Sequence, residues 1–123
     1  MMEPADFKLT QVSVVMLGVH DVTRSLEFYR DKLGLEVQRV IPGFAFLNAG
    51  AVTLCLSEPA AKMRGQVAGA GEIVFPVQDV TAAYQALREK EVQFTHEPRN
   101  ITPTTKAANF DDPDGNHLSI IGP

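Results

Sequence analysis

The chain has no tryptophan, only two tyrosines and a single cysteine, Cys55. One cysteine excludes an internal disulfide and fits a reducing, cytoplasmic setting. Without tryptophan the protein lacks the strongest stacking platform for a large planar ligand. No apolar stretch approaches the roughly 20 residues that a membrane helix needs; the longest near the start, Val14 to Val19, is six residues. Met1 to Asp6 carries neither the basic region nor the apolar run of a secretory signal, so a cytoplasmic protein with no membrane partner is expected. Basic residues are also scarce: 11 Lys and Arg stand against 15 Asp and Glu, for a net charge of −4. The deficit is even, with five against seven in residues 1–60 and six against eight in residues 61–123. No basic stripe is available to neutralise phosphates, which argues against nucleic acid.

What the chain does have is an internal repeat. Val19-His20-Asp21-Val22-Thr23 returns 58 positions later as Val77-Gln78-Asp79-Val80-Thr81, and at the same offset Arg30 meets Arg88 and Lys32 meets Lys90. A length of 123 residues supports one hydrophobic core, so the halves are modules of a single domain covering 1–123. Module 1 spans about 9–57, a linker rich in Ala, Gly, Lys and Arg covers 58–71, and module 2 spans about 72–122.

Each module reads as β-α-β-β-β. In the first, Gln11 to Val19 is β-rich, and Asp21 stands where a helix N-cap belongs. Val22, Leu26, Tyr29 and Leu33 then recur at helical spacing, and Gly34 supplies a left-handed C-cap. Strands over Leu35–Val40, Phe44–Asn48 and Ala51–Ser57 follow, separated by Pro42-Gly43 and Ala49-Gly50. In the second, Glu72–Val77 is a strand, Asp79 caps, and Val80, Ala83, Tyr84 and Leu87 make the helix face. Strands over Val92–His96, Lys106–Phe110 and His117–Ile121 complete it, the last two joined by the turn Asp112-Pro113-Asp114-Gly115-Asn116. Glu97 to Lys106, with Pro98 and Pro103, reads as a long loop, either a binding loop or a surface excursion.

Two tandem modules with Val19-x-Asp21-Val22-x-x-Ser25-Leu26-x-Phe28-Tyr29-x-x-x-Leu33-Gly34-Leu35 and Phe110-x-Asp112-Pro113-Asp114-Gly115-Asn116-x-Leu118 resemble the vicinal-oxygen-chelate superfamily. Glyoxalase I, the extradiol dioxygenases and the bleomycin-resistance proteins belong to it. The resemblance implies an α+β fold: two modules forming a curved mixed sheet, a half-open barrel around a cavity, with helices outside. It also implies a homodimer and a small-molecule ligand. Metal-dependent members hold a divalent ion with a residue seven before the Asp of each module and another four past the hairpin Gly. Those positions are Val14, Glu72, Leu54 and Ser119 here. Aliphatic side chains donate nothing to a cation, and a divalent site needs three or four N, O or S donors. No metal ligand and no cofactor is therefore assigned.

Since one fold carries many chemistries, function rests on the residues at the cavity. Val14, Met16, Leu54, Glu72, Val74, Ser119 and Ile121 are expected to line it, with His96 and His117 at its border. Glu72 is the catalytic candidate: a carboxylate in apolar surroundings could bind an amine or move a proton, or it could simply be solvated at the start of its strand. His96 and His117 have an intrinsic pKa suited to proton transfer but no partner adjacent in sequence. Cys55 alternates away from Leu54 and is expected on the helix side. These residues point to a metal-free protein binding a small apolar or aromatic ligand. The alternative is a metal-dependent lyase, isomerase or dioxygenase of the glyoxalase type, using Glu72 and Zn, Ni, Mn or Fe at an atypical site.

Overall fold

The computed structural model describes residues 10–64 and 72–123. Their order is β1 (Val14–Gly18), α1 (Val22–Leu26) running on as a π-helical segment (Glu27–Lys32), β2 (Glu36–Ile41), β3 (Phe44–Ala49) and β4 (Val52–Ser57). Then come α2 (Glu58–Arg64), β5 (Glu72–Pro76), α3 (Val80–Glu89), β6 (Phe94–Thr102), β7 (Thr105–Asp111) and β8 (His117–Gly122). The class is α+β, with two four-stranded mixed sheets ordered β1-β4-β3-β2 and β5-β8-β7-β6. Within each sheet the first and last strands of a module pair in parallel, and the rest are antiparallel. The repeat is thus realised as two copies of one topology.

Both helices start as the sequence indicates. Asp21 accepts from the Arg24 amide and Asp79 from the Ala82 amide, so each carboxylate satisfies a donor that the first helical turn leaves free. The first helix widens after Leu26, where the Leu33 amide reaches five residues back to the Phe28 carbonyl. Phe28 and Tyr29 are both buried there. Gly34 follows at a φ of 83°, the left-handed value that only glycine adopts without strain.

Each sheet reserves one face for packing. Val15 and Leu17 of β1, Leu54 and Leu56 of β4, Ile73 and Phe75 of β5, and Leu118 and Ile120 of β8 join α1 and α3 in one continuous core. The opposite faces carry exposed residues, and among the described residues the two sheets are not closed into a barrel. Val14 and Val74 on them are 44% and 48% exposed. Among the described residues an apolar crevice of about 260 Å³ between the modules lies on the helix side, lined by Leu33, Leu35, Phe75, Leu87, Phe110 and Ile120 among others. None of the nine residues expected to bind ligand lines it.

Two segments depart from the sequence reading. The linker opens with α2, whose Ala61 packs against Gly18 so closely that a Cβ on Gly18 would lie 2.9 Å from the Ala61 Cα. The remainder, 65–71, lies outside the described residues, as does residue 9. The expected loop Glu97–Lys106 is in fact the β6–β7 hairpin, turning at Pro103-Thr104. Pro98 lacks an amide to donate, which makes it a loop signal in the sequence. It is tolerated because β6 is an edge strand with register shifts.

Candidate functional site

The candidate site is the open face of the second sheet. Strand register sets its members: Glu72 pairs with His117 and Val74 with Ser119, while Asn109 pairs with both Ser119 and His96, and Ala107 with Ile121 and Arg99. Six of the sequence-derived candidates therefore share one face, namely Glu72, Val74, His96, His117, Ser119 and Ile121. The structure does not join Val14 and Met16 to them. Those two lie on the open face of the first sheet, beside Thr53 and Cys55.

Leu54 and Cys55 exchange the faces assigned to them. Leu54 pairs with Val15 and Leu47 in the core and is 2% exposed, so it cannot line the open face. Cys55 pairs with Met16 and Phe46 on the open side. The slip has a simple origin: the residue two past the glycine faces the core in the first module (Val52, paired with Ala49) but the open side in the second (His117, paired with Asp111), so counting four residues from the glycine lands on opposite parities. Cys55, not Leu54, is the counterpart of Ser119, since Met16 pairs Cys55 as Val74 pairs Ser119. Cys55 is buried on that face, and burial pushes its thiol pKa up.

Glu72 is neither isolated nor simply solvated. Its Oε1 accepts from Asn109 Nδ2 at 2.8 Å, and Asn109 Oδ1 accepts from Arg99 Nη1 at 2.8 Å. Arg99 Nη1 also reaches the Ala107 carbonyl at 3.4 Å. Alongside runs a second pair, His117 Nδ1 with Asp111 Oδ1 at 2.6 Å. The Asp111 carboxylate, as hydrogen-bond partner and as charge, raises the His117 pKa above the ordinary 6.5, with a smaller contribution from Glu72. His96 Nδ1 stands 3.3 Å from Thr95 Oγ1 and is exposed. Val74, Ile121 and Ala107 supply the apolar part of this face, whose polar groups are already oriented by one another.

Sequence reasoning missed Asn109, Arg99 and Asp111. Parity along β7 places Asn109 and Asp111 on one face, but which face follows only from cross-strand register. Arg99 was hidden by the loop reading of its strand.

The other open face is of different character. Val14 and Met16 are exposed, and Phe44 and Phe46 stack with centroids 6.3 Å apart and planes 16° apart. Polar groups gather at one end, where Thr53 Oγ1 lies 3.3 Å from Gln38 Oε1.

The four positions at which the fold's metal-dependent members would ligate are thus Val14, Cys55, Glu72 and Ser119. They offer an aliphatic chain, a buried thiol with a raised pKa, one carboxylate engaged by an amide, and one hydroxyl. That donor set does not fit a divalent ion. Among the described residues no three His, Cys, Asp or Glu side chains are grouped as metal ligands would be, and no helix is long and apolar enough to cross a membrane.

Residues 11–120 match the family model described as the Glyoxalase/Bleomycin resistance protein/Dioxygenase superfamily. The uncharacterised protein YurT of Bacillus subtilis strain 168 is 31% identical over 125 residues, covering 90% of this chain and 98% of its own. A member of the same superfamily from Sphaerobacter thermophilus aligns with a TM-score of 0.75 at 26% identity, over 94% of this chain and 98% of that one. TnmS3, an antibiotic binding protein from Streptomyces sp. CB03234, aligns with a TM-score of 0.77 at 25% identity, over 95% and 98%.

Proposed function

The chain belongs to the glyoxalase/bleomycin resistance protein/dioxygenase superfamily, and from that membership we propose that it captures a small apolar or aromatic molecule on its open sheet faces without a resident metal. The observation that carries this reading is the make-up of the second face, where Glu72, Asn109 and Arg99 are locked in a hydrogen-bonded line beside Val74 and Ile121. A few fixed polar groups set in apolar surface are what small-ligand sites require. The donor chemistry at Val14, Cys55, Glu72 and Ser119 supports the metal-free part, and the likeness to an antibiotic binding protein supports binding rather than turnover.

The exposed Val14 and Met16 support a homodimer in which a second copy packs against the open face of the first sheet. The lone cysteine supports a cytoplasmic location.

Thermal denaturation with a panel of small hydrophobic and aromatic compounds tests the binding reading. A ligand at 100 times its Kd adds about 2.7 kcal/mol, a shift of many degrees for a domain of this size. A panel that moves no melting temperature would sink the proposal. Elemental analysis of protein purified without chelator tests the other part. Near-stoichiometric metal that disappears in Glu72→Ala would establish the metal-dependent alternative in its place.

A further inference from the structure

Glu72 reaches across a whole strand. It stands on β5, its partner Asn109 on β7, and β8 lies between them. The span passes the small side chain of Ser119, which pairs with Val74 on one side and Asn109 on the other. The orientation of the Asn109 amide is fixed, because its Oδ1 accepts from Arg99 and its Nδ2 must then donate to Glu72. The carboxylate is held in place by one oxygen, Oε1, and its other oxygen receives no donor from this line. Arg99 Nη1 is already committed to Asn109 and to the Ala107 carbonyl. Asp111 adds a second carboxylate to the same face, bonded to His117. Val74 and Ile121 give apolar surface beside these groups.

We propose that this face selects organic cations, apolar or aromatic molecules carrying a protonated amine, with the ammonium held by Glu72. The inference rests on the binding reading above and gives it a ligand class. An ammonium has only donors, and a carboxylate fixed by Asn109 has only acceptors. Charge-assisted hydrogen bonds are roughly twice as strong as neutral ones, so an amine should bind about tenfold tighter than the matching alcohol. An anionic ligand at the free oxygen of Glu72 would meet a like charge, with the Arg99 guanidinium set back behind Asn109. Glu72 is here a ligand-contacting residue, and Asn109 and Arg99 are positioning residues that act through it.

The test is calorimetric titration of the full chain with 2-naphthylmethylamine, 2-naphthylmethanol and 2-naphthoate. The expected result is a preference of about tenfold or more for the amine, weakening as salt is raised. In Glu72→Gln, verified as folded by circular dichroism, the amine and alcohol should fall within about twofold of each other, and Glu72→Asp should restore part of the difference. Equal or tighter binding of the alcohol or the naphthoate by the unmodified chain overturns the inference alone. A preference that survives Glu72→Gln does the same. If none of the three gives a heat signal this inference fails, while the broader binding reading fails only if the whole compound panel is also silent.

Discussion

Removing one hydroxyl from the joint between the modules should weaken the whole domain. Tyr29 is completely buried, and its hydroxyl donates to Asp112 Oδ2 at 2.8 Å. Asp112 sits in the β7–β8 turn, where Oδ1 accepts from the Asp114 and Asn116 amides and Oδ2 also accepts from Asn116 Nδ2. Tyr29→Phe keeps the ring, its edge contact with Phe28 at 5.3 Å and the rest of the packing. It removes only a hydrogen bond to a buried carboxylate, worth about 2 kcal/mol. With an unfolding entropy of about 2.1 cal/mol/K per residue over 123 residues, the melting temperature should fall by about 8 °C. Urea denaturation should show the same loss as a lower midpoint with an unchanged slope. The pH dependence is a second, independent mark. Burial first, and then the Asp112 carboxylate, hold the Tyr29 phenol far above its ordinary value. Above a pH of about 10 the unfolded chain therefore releases this proton and the folded chain does not. Stability conferred by this group is complete below that value and declines as the pH rises past it. Tyr29→Phe should remove that part of the alkaline decline. A variant within about 0.5 kcal/mol of the parent, or one with the same alkaline slope, would refute the reasoning.

Other perturbations test other parts of the structure. The Asp111–His117 pair should raise the His117 midpoint above 6.5 in an NMR titration, and Asp111→Asn should bring it back down; the stability from this pair is complete below about 6.5 and is lost as the pH rises through the raised value. Cys55 is buried with a raised thiol pKa, so its reaction with a disulfide reagent should proceed only as fast as the protein opens; rapid native-state labelling would contradict its placement. Gly18→Ala should press α2 away from β1 and cost about 1–3 kcal/mol in urea denaturation, because the added carbon would meet the Ala61 backbone rather than a side chain that can move. Asp79→Ala should cost about 1 kcal/mol by leaving the Ala82 amide without its cap, and an unchanged urea midpoint would count against the capping role.

Most of the architecture could be read from the chain because local signals and long-range packing agree in it. The duplicated Asp caps both helices, Gly34 ends the first at a left-handed φ, and alternation marks the strands. The site was only partly legible. Glu72, Val74, Ser119 and Ile121 share a face because parity within a parallel pair carries from one strand to its neighbour. Leu54 falls on the core face because the strand after Gly50 begins core-side, whereas the strand after Gly115 begins on the open side, and a one-residue change of phase inverts a strand. Arg99 and Asn109 were out of reach for another reason. The line from Glu72 through Asn109 to Arg99 spans all four strands of its sheet, and nothing local in the sequence encodes a contact between residues 37 positions apart, as Glu72 and Asn109 are.

The Asp112–Asn116 turn also bears on how two repeated modules are joined into one body. In the first module the equivalent turn is a tight two-residue link, Gly50-Ala51. In the second it is a longer arm reaching into the first module, where Asp114 takes hydrogen bonds from the His20 amide, Arg24 and Ser25, and the Asn116 amide group donates to the Gly18 carbonyl. The Asp114 side chain is fully shielded from solvent by that insertion. Cut from its neighbour, the second half would expose Asp114 without the donors of His20, Arg24 and Ser25 and take from Asp112 its Tyr29 partner, and the first would expose Tyr29 with no acceptor. The two halves share a topology but are complementary rather than interchangeable, because only the second carries the arm and only the first its acceptor groove.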